Sequence, residues 1–149
     1  LNAGHEASVN GFGNGMVATL QDAEQLALLN ADPFGLADTA VDEFLRFDAP
    51  LHLFERTATK DTDIGGVEIL EGQKIAALLG SANRDQRVFK DPDKLDLSRN
   101  PNPHIGFGAG IHFCIGAPLA RLEMTIALPR LIDQFASLIL ADTPVRSRR

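Results

Sequence analysis

Residues 104–116 read HIGFGAGIHFCIG and hold the only cysteine of the chain, Cys114. Gly106, Gly108 and Gly110 stand at alternate positions ahead of it, and Gly116 follows closely. Phe107 and Phe113 are interleaved with His104 and His112. Glycines at this density let the backbone take positive φ and approach another group closely. A helix-like segment begins at Ala117, with Pro118 suited to its first turn, where a missing N–H costs nothing. Cys114 is therefore expected just ahead of a helix start. Free N–H groups and the positive end of the helix dipole favour thiolate over thiol there.

The expected product is a shielded thiolate with donors aimed at its sulfur, an arrangement suited to an axial metal ligand such as that of haem iron. Two plainer readings stand beside it. A single cysteine is commonly a buried packing residue. A zinc site could use His104, His112 and Cys114, but it lacks a fourth ligand and a common zinc spacing.

The stretch resembles the haem-binding loop of the cytochromes P450, F-x-x-G-x-[RH]-x-C-x-G, at Phe107, Gly110, His112, Cys114 and Gly116. It is most similar to the soluble bacterial type, where histidine often stands at the position of His112. The resemblance implies a mainly α fold with a small β-sheet (α+β). It implies haem b as cofactor, with Cys114 ligating the iron. Phe107, Gly108, Gly116 and Ala120 would line the haem, and His104 and His112 would bind its propionates.

Downstream, APLARLEMTIALPRLIDQF (117–135) predicts the last helix, with an apolar stripe of Leu119, Leu122, Ile126 and Ile132. Pro129 is expected to kink or end it. The resemblance turns Arg121 and Arg130 toward the proximal surface, where acidic iron–sulfur partners dock in the family. Solvated arginines are the alternative. The chain closes in a short basic tail.

Upstream, 80–103 is polar and rich in turn formers. It resembles the bacterial stretch from A-N-R-D through the meander, with Arg84 and Asp85 structural. Residues 51–79 have strand character, with turns at Gly65-Gly66 and Glu71-Gly72. Arg56 matches the family arginine that reaches a haem propionate. A helix is expected over LADTAVDEFLRF (36–47), where Glu43 and Arg46 share a face at i, i+3. As a bare pair this is an ordinary surface salt bridge. In the P450 resemblance it is the E-x-x-R motif, with Arg99 as the third member of a proximal scaffold. A short helix follows Asp22, a plausible cap.

The glycines of LNAGHEASVNGFGNGMVATL (1–20) each disfavour helix by about 1 kcal/mol relative to Ala. Propensity alone predicts a flexible segment. The resemblance predicts the long distal helix, because Ala3, Gly4, Glu6, Ala7 and Ser8 match A-G-x-[DE]-T-[TS]. In the family the acid and the following threonine relay protons to oxygen. Here Glu6 supplies the carboxylate, but Ala7 has no hydroxyl. Ser8 lies about 100° further round a helix. G-F-G-N-G at 11–15 is not a phosphate-loop pattern.

Length and composition bound the rest. The chain has 149 residues, enough for one sizeable core, and a formal net charge of −6 that suggests no nucleic-acid partner. One cysteine excludes an internal disulfide and fits a reducing cytoplasm. No apolar run is long enough to span a membrane, and no signal peptide is visible, although the chain starts at Leu1. The resemblance covers residues 1–149 as one partial P450 domain. The N-terminal part and a C-terminal hairpin are expected to be missing, and a complementary chain could supply them. Uncovered inner faces would then form an apolar patch prone to association.

The functional expectation is a segment of a haem-thiolate monooxygenase that inserts one oxygen atom from O₂ into a small organic substrate. Electrons would come from a ferredoxin and its reductase or a similar donor, and Glu6, Ala7 and Ser8 would form the catalytic stretch. With Ala7 in place of threonine, one alternative is a peroxide-using, rearrangement or coupling enzyme. Another is a non-catalytic fragment or interaction module.

Overall fold

The computed structural model describes residues 2–135 and 137–145, with side chains from Gly4 onward. The basic tail from Arg146 and the side chain of Ala3 lie outside the described residues. The elements run α1 (Asn2–Gln21), α2 (Ala23–Ala31), α3 (Ala37–Phe47), β1 (Leu53–Thr57), β2 (Thr62–Ile64), β3 (Val67–Ile69), β4 (Lys74–Leu78), α4 (Leu79–Ala82) and α5 (Ala117–Gln134). A single 3-10 turn, Gly110–His112, precedes α5. The fold is mainly α with small antiparallel sheets, in agreement with the expected class.

The four glycines after Ala3 do not break α1, because two of them are packing positions. A Cβ on Gly15 would run into the Phe44 ring of α3, and Gly11 lies against Met124, Leu45 and Pro50. Phe12 meets Phe44 edge-on, with ring centroids 6.4 Å apart. Close approach of α1 to α3 buries Met16 and Phe44, and burying such side chains outweighs the propensity cost. Asp22 caps α2 by accepting the Glu24 and Gln25 amides, each at 3.1 Å.

The core forms where α1, α3 and α5 meet, around Met16, Val41, Phe44, Leu45, Met124 and Leu128. The strand region resolves into two ladders, β1–β4 and β2–β3, rather than one sheet. Gly65 and Gly66 both take positive φ (62° and 84°), which a two-residue hairpin turn requires. Backbone bonds between Ala58 and Gln73 and between Gly72 and Ala58 lead from one ladder toward the other.

α5 departs from expectation twice. It continues through Pro129 to Gln134. A proline inside a helix costs about 3 kcal/mol, and burial of Leu128, Pro129 and Ile132 on the core offsets it. The expected stripe also divides. Ile132 is buried, but Leu119, Leu122 and Ile126 are 60%, 55% and 47% exposed. Met124, Leu128 and Ile132, at i, i+4 and i+8, form the core face instead. α5 is apolar on two sides, so periodicity could not select the buried one.

Candidate functional site

α3 carries consecutive carboxylates at its middle, Asp42 and Glu43, and each anchors a different part of the chain. Glu43 is fully buried and pairs side-on with Arg46, Nε to Oε2 and Nη2 to Oε1, both at 2.8 Å. Its oxygens also accept the Asp96 amide at 2.9 Å, Arg99 Nε at 3.1 Å and Asn102 Nδ2 at 3.1 Å. Arg46 Nη1 donates to the carbonyls of Asn83 and Pro92, and Nη2 to that of Lys94. A buried ion pair needs this degree of satisfaction to be tolerated. Glu43, Arg46 and Arg99 are thus brought together, and Asn102 is a member the sequence reading missed. Arg84 donates to the Phe47 carbonyl and to Asp93, while Asp85 pairs with Arg87.

Asp42 holds the Cys114 loop. Burial pushes its carboxyl up, but hydrogen bonds from His104 and Arg121 outweigh that and hold it below its ordinary value. His104 Nδ1 accepts the Gly106 amide at 3.1 Å. With that lone pair engaged, Nε2 carries the hydrogen and donates to Asp42 Oδ1 at 3.2 Å. Arg121 Nε donates to the same oxygen at 2.7 Å, and its guanidinium lies 4.8 Å from the Phe107 ring centroid. This corrects one expectation. His104 has both ring nitrogens engaged within the protein, so it offers no donor to a propionate. Arg121 pairs with Asp42 while its side chain stays 38% exposed.

The loop glycines divide by role. Gly108 and Gly110 take positive φ, 76° and 65°. Gly106 is instead a close approach, since a Cβ there would lie 2.8 Å from the Leu45 carbonyl oxygen of α3. The Cys114 amide donates to the Phe107 carbonyl at 3.0 Å. Gly116 is the N-cap of α5, and a Cβ on it would sit 3.8 Å from Cys114 Sγ. Contrary to the expected shielding, Cys114 is exposed. Among the described residues none donates a hydrogen bond to its sulfur. The thiol opens onto a cavity instead.

That cavity has a volume of about 700 Å³. α1 contributes Gly4, His5, Ala7 and Ser8, and the loop contributes Phe107, His112 and Cys114. α5 adds Leu119, Ala120 and Glu123, and β1 adds Phe54. Glu6 does not line it and is exposed on α1. Arg56 does not line it either. Its Nη1 donates to the Glu55 carbonyl, and its guanidinium lies 5.7 Å from the ring centroid of Phe54. His5, Phe54 and Glu123 went unnoticed in the sequence. His5 had a weak signal, one place before Glu6. The zinc reading fails on geometry, because the His104 ring is turned to Asp42. Among the described residues no three His, Cys, Asp or Glu side chains converge.

The family model for cytochrome P450 matches residues 14–148. The chain belongs to the cytochrome P450 family. It is 47% identical over 146 residues to the biotin biosynthesis cytochrome P450 of Bacillus subtilis (strain 168), covering 98% of this chain and 37% of the relative. It is 46% identical over 147 residues to nocardicin C N-oxygenase of Nocardia uniformis subsp. tsuyamanensis, covering 97% and 36%. Among solved P450 structures, that of P450BioI in complex with hexadec-9Z-enoic acid ligated acyl carrier protein superposes with a TM-score of 0.90 at 47% identity. It covers 95% of this chain and 37% of that one. The chain therefore spans little more than a third of the length of these P450 relatives.

A P450 family member is expected to bind haem, and the residues present fit one. The thiol of Cys114 is the thiol donor among the described residues and faces the cavity. The α1 wall places the small residues Gly4, Ala7 and Ser8 beside His5 and Val9, and most remaining walls are apolar, as a flat macrocycle needs. Among the described residues no helix is long and apolar enough to cross a membrane.

Proposed function

We propose that this segment belongs to a haem-thiolate monooxygenase that inserts one oxygen atom from O₂ into an organic substrate. The observation that carries the reading is Cys114. Its thiol opens onto a cavity of about 700 Å³ whose α1 wall presents Ala7 and Ser8. When bound there, haem b supplies the iron centre at which dioxygen is reduced and one oxygen atom transferred. Cys114 would ligate the iron as thiolate, with its backbone held by the bond to Phe107. His112 lines the cavity and makes no hydrogen bond among the described residues, so its ring is free to take a propionate. Arg56, beside Phe54, would take another.

Ser8 provides the hydroxyl that Ala7 lacks on the cavity wall, and Glu6 would exchange protons with solvent next to it. Glu43, Arg46 and Arg99 hold the chain beneath the loop. The resemblance to soluble bacterial P450s supports a ferredoxin-type electron donor and a cytoplasmic setting. Residues 1–149 are read as one partial P450 domain, from the distal helix through the last helix.

One observation favours a second reading. Ala7 itself lines the cavity, so the usual proton-relay hydroxyl is absent from that position. A peroxide-driven, rearrangement or coupling enzyme would not need it.

The test is a reduced, CO-bound difference spectrum with added hemin, with Cys114→Ala alongside. A strongly red-shifted Soret band that disappears in the variant supports the reading. No band in the wild-type chain would make it a haem-free fragment. Turnover with peroxide but not with reductant and O₂ would favour the second reading.

A further inference from the structure

The function proposed above leaves Asp42 without a task. Its Oδ1 receives Arg121 Nε at 2.7 Å and His104 Nε2 at 3.2 Å. The His104 side chain is only 1% exposed. The arms converge on Gly106 and Phe107. One runs through His104 to the N–H of Gly106, the residue immediately before Phe107. The other runs through Arg121, whose cation lies against the Phe107 ring. Phe107 then passes its position on, because its carbonyl accepts the Cys114 amide at 3.0 Å. Gly106 is simultaneously pressed on the Leu45 carbonyl, so the loop has little room to re-seat.

We propose that Asp42 is a positioning residue for the Cys114 loop, acting through His104 and Arg121 on Phe107. One carboxylate on the core helix thereby sets the backbone of the cysteine from two directions. The inference rests on the haem-thiolate reading only for its spectroscopic consequence. The positioning itself is a property of the protein's own residues.

Packing alone would ask only for the shape of His104. Positioning asks for an acceptor at Nδ1 and a donor at Nε2. Asparagine at this site keeps an oxygen near Nδ1, whereas glutamine keeps a polar group near Nε2 only. The experiment compares His104→Asn, His104→Gln and Asp42→Ala in the full chain. It reads amide hydrogen exchange at Gly106 and Cys114, with the buried Leu128 amide reporting global opening. In His104→Gln and Asp42→Ala, the Gly106 and Cys114 amides are expected to exchange about tenfold faster, the effect of one lost hydrogen bond. His104→Asn keeps the Gly106 acceptor but loses the bond to Asp42, so Gly106 and Cys114 should exchange about threefold to tenfold faster there too, and Leu128 should not change. In the haem-loaded protein, the reduced CO band should move or broaden in all three variants.

Gly106 and Cys114 exchange that rises only in step with Leu128, or that stays at the wild-type rate in Asp42→Ala or His104→Asn, would overturn the proposal. A missing CO band in wild type would count against the haem reading instead, and the exchange data would still decide the positioning role.

Discussion

Asp42 and Glu43 are neighbours on α3, yet their carboxylates clamp separate stretches of chain. Glu43 binds Arg46, Arg99, Asn102 and the Asp96 amide. Asp42 binds His104 and Arg121. Successive helix positions are rotated by about 100°, so one turn of α3 serves two networks. Stability should depend mostly on the first and loop geometry on the second.

The buried network gives a ranked prediction. Glu43→Ala leaves Arg46 buried without its carboxylate and should cost about 3–5 kcal/mol in denaturant unfolding of the full chain. Arg99→Ala leaves Glu43 its Arg46, Asn102 and Asp96 bonds and should cost about 1–3 kcal/mol. Equal losses from the two variants would show that the network is not organised around Glu43.

A pair of glycines on α1 offers a signed contrast. Gly13→Ala meets nothing within 4 Å and should gain up to about 1 kcal/mol from helix propensity. Gly15→Ala drives a methyl into the Phe44 ring and should lose about 1–3 kcal/mol by overpacking. Thermal melts of the two variants check this. A melting temperature raised by Gly15→Ala would refute the close α1–α3 approach.

The Asp42 carboxyl titrates below its ordinary value of 3.8 in the folded protein, because hydrogen bonds from His104 and Arg121 outweigh its burial. The unfolded chain therefore takes up this proton first as pH falls. The stabilisation from Asp42 is complete above the ordinary carboxylate range and is lost as pH drops through the folded value. Asp42→Asn should flatten that part of the acid limb in urea midpoints measured against pH. An acid limb unchanged by the substitution would contradict the assignment.

Uncovered apolar side chains predict self-association of this chain. Ile111 and Ile115 are 97% and 99% exposed, and Leu119, Leu122 and Ile126 add a stripe along α5. Contiguous patches of this kind drive association. Sedimentation velocity should show a concentration-dependent larger species, reduced by replacing Leu119, Leu122 and Ile126 together with serine. A wild-type chain that stays monomeric at every concentration would count against the patch.

What could be read from the residues alone follows a physical divide. Local rules worked where one residue answers one constraint. Gly65 and Gly66 turn a hairpin, Asp22 caps α2, and the i, i+3 spacing of Glu43 and Arg46 gives their pairing. The motif around Cys114 pointed to the family before any fold was known. Direction in space was harder. Nothing in the sequence around His104 says that its ring turns to Asp42 rather than to the cavity. The two apolar sides of α5 look alike in periodicity, so Leu119 and Leu122 read as core when Met124 and Leu128 are. Asn102 was invisible because its partner lies 59 residues away. The glycines of α1 read as breakers because their benefit exists only once Phe44 is in place.

The spacing inside the Glu43 network has a consequence for the order of events on the ribosome. The Asp96 amide, Arg99 and Asn102 lie 53, 56 and 59 residues beyond Glu43. At about 5–20 residues per second, translation delivers them roughly 3–12 s after Glu43. During that interval α3 carries a carboxylate and a guanidinium bound for the interior with only each other as partners. The nascent chain must keep this end of α3 hydrated, or held by a chaperone, until the partners emerge. Stalling translation between Asp48 and Asp96 would hold the chain with α1 available to cover Phe44 but with Glu43 still short of all three of these partners.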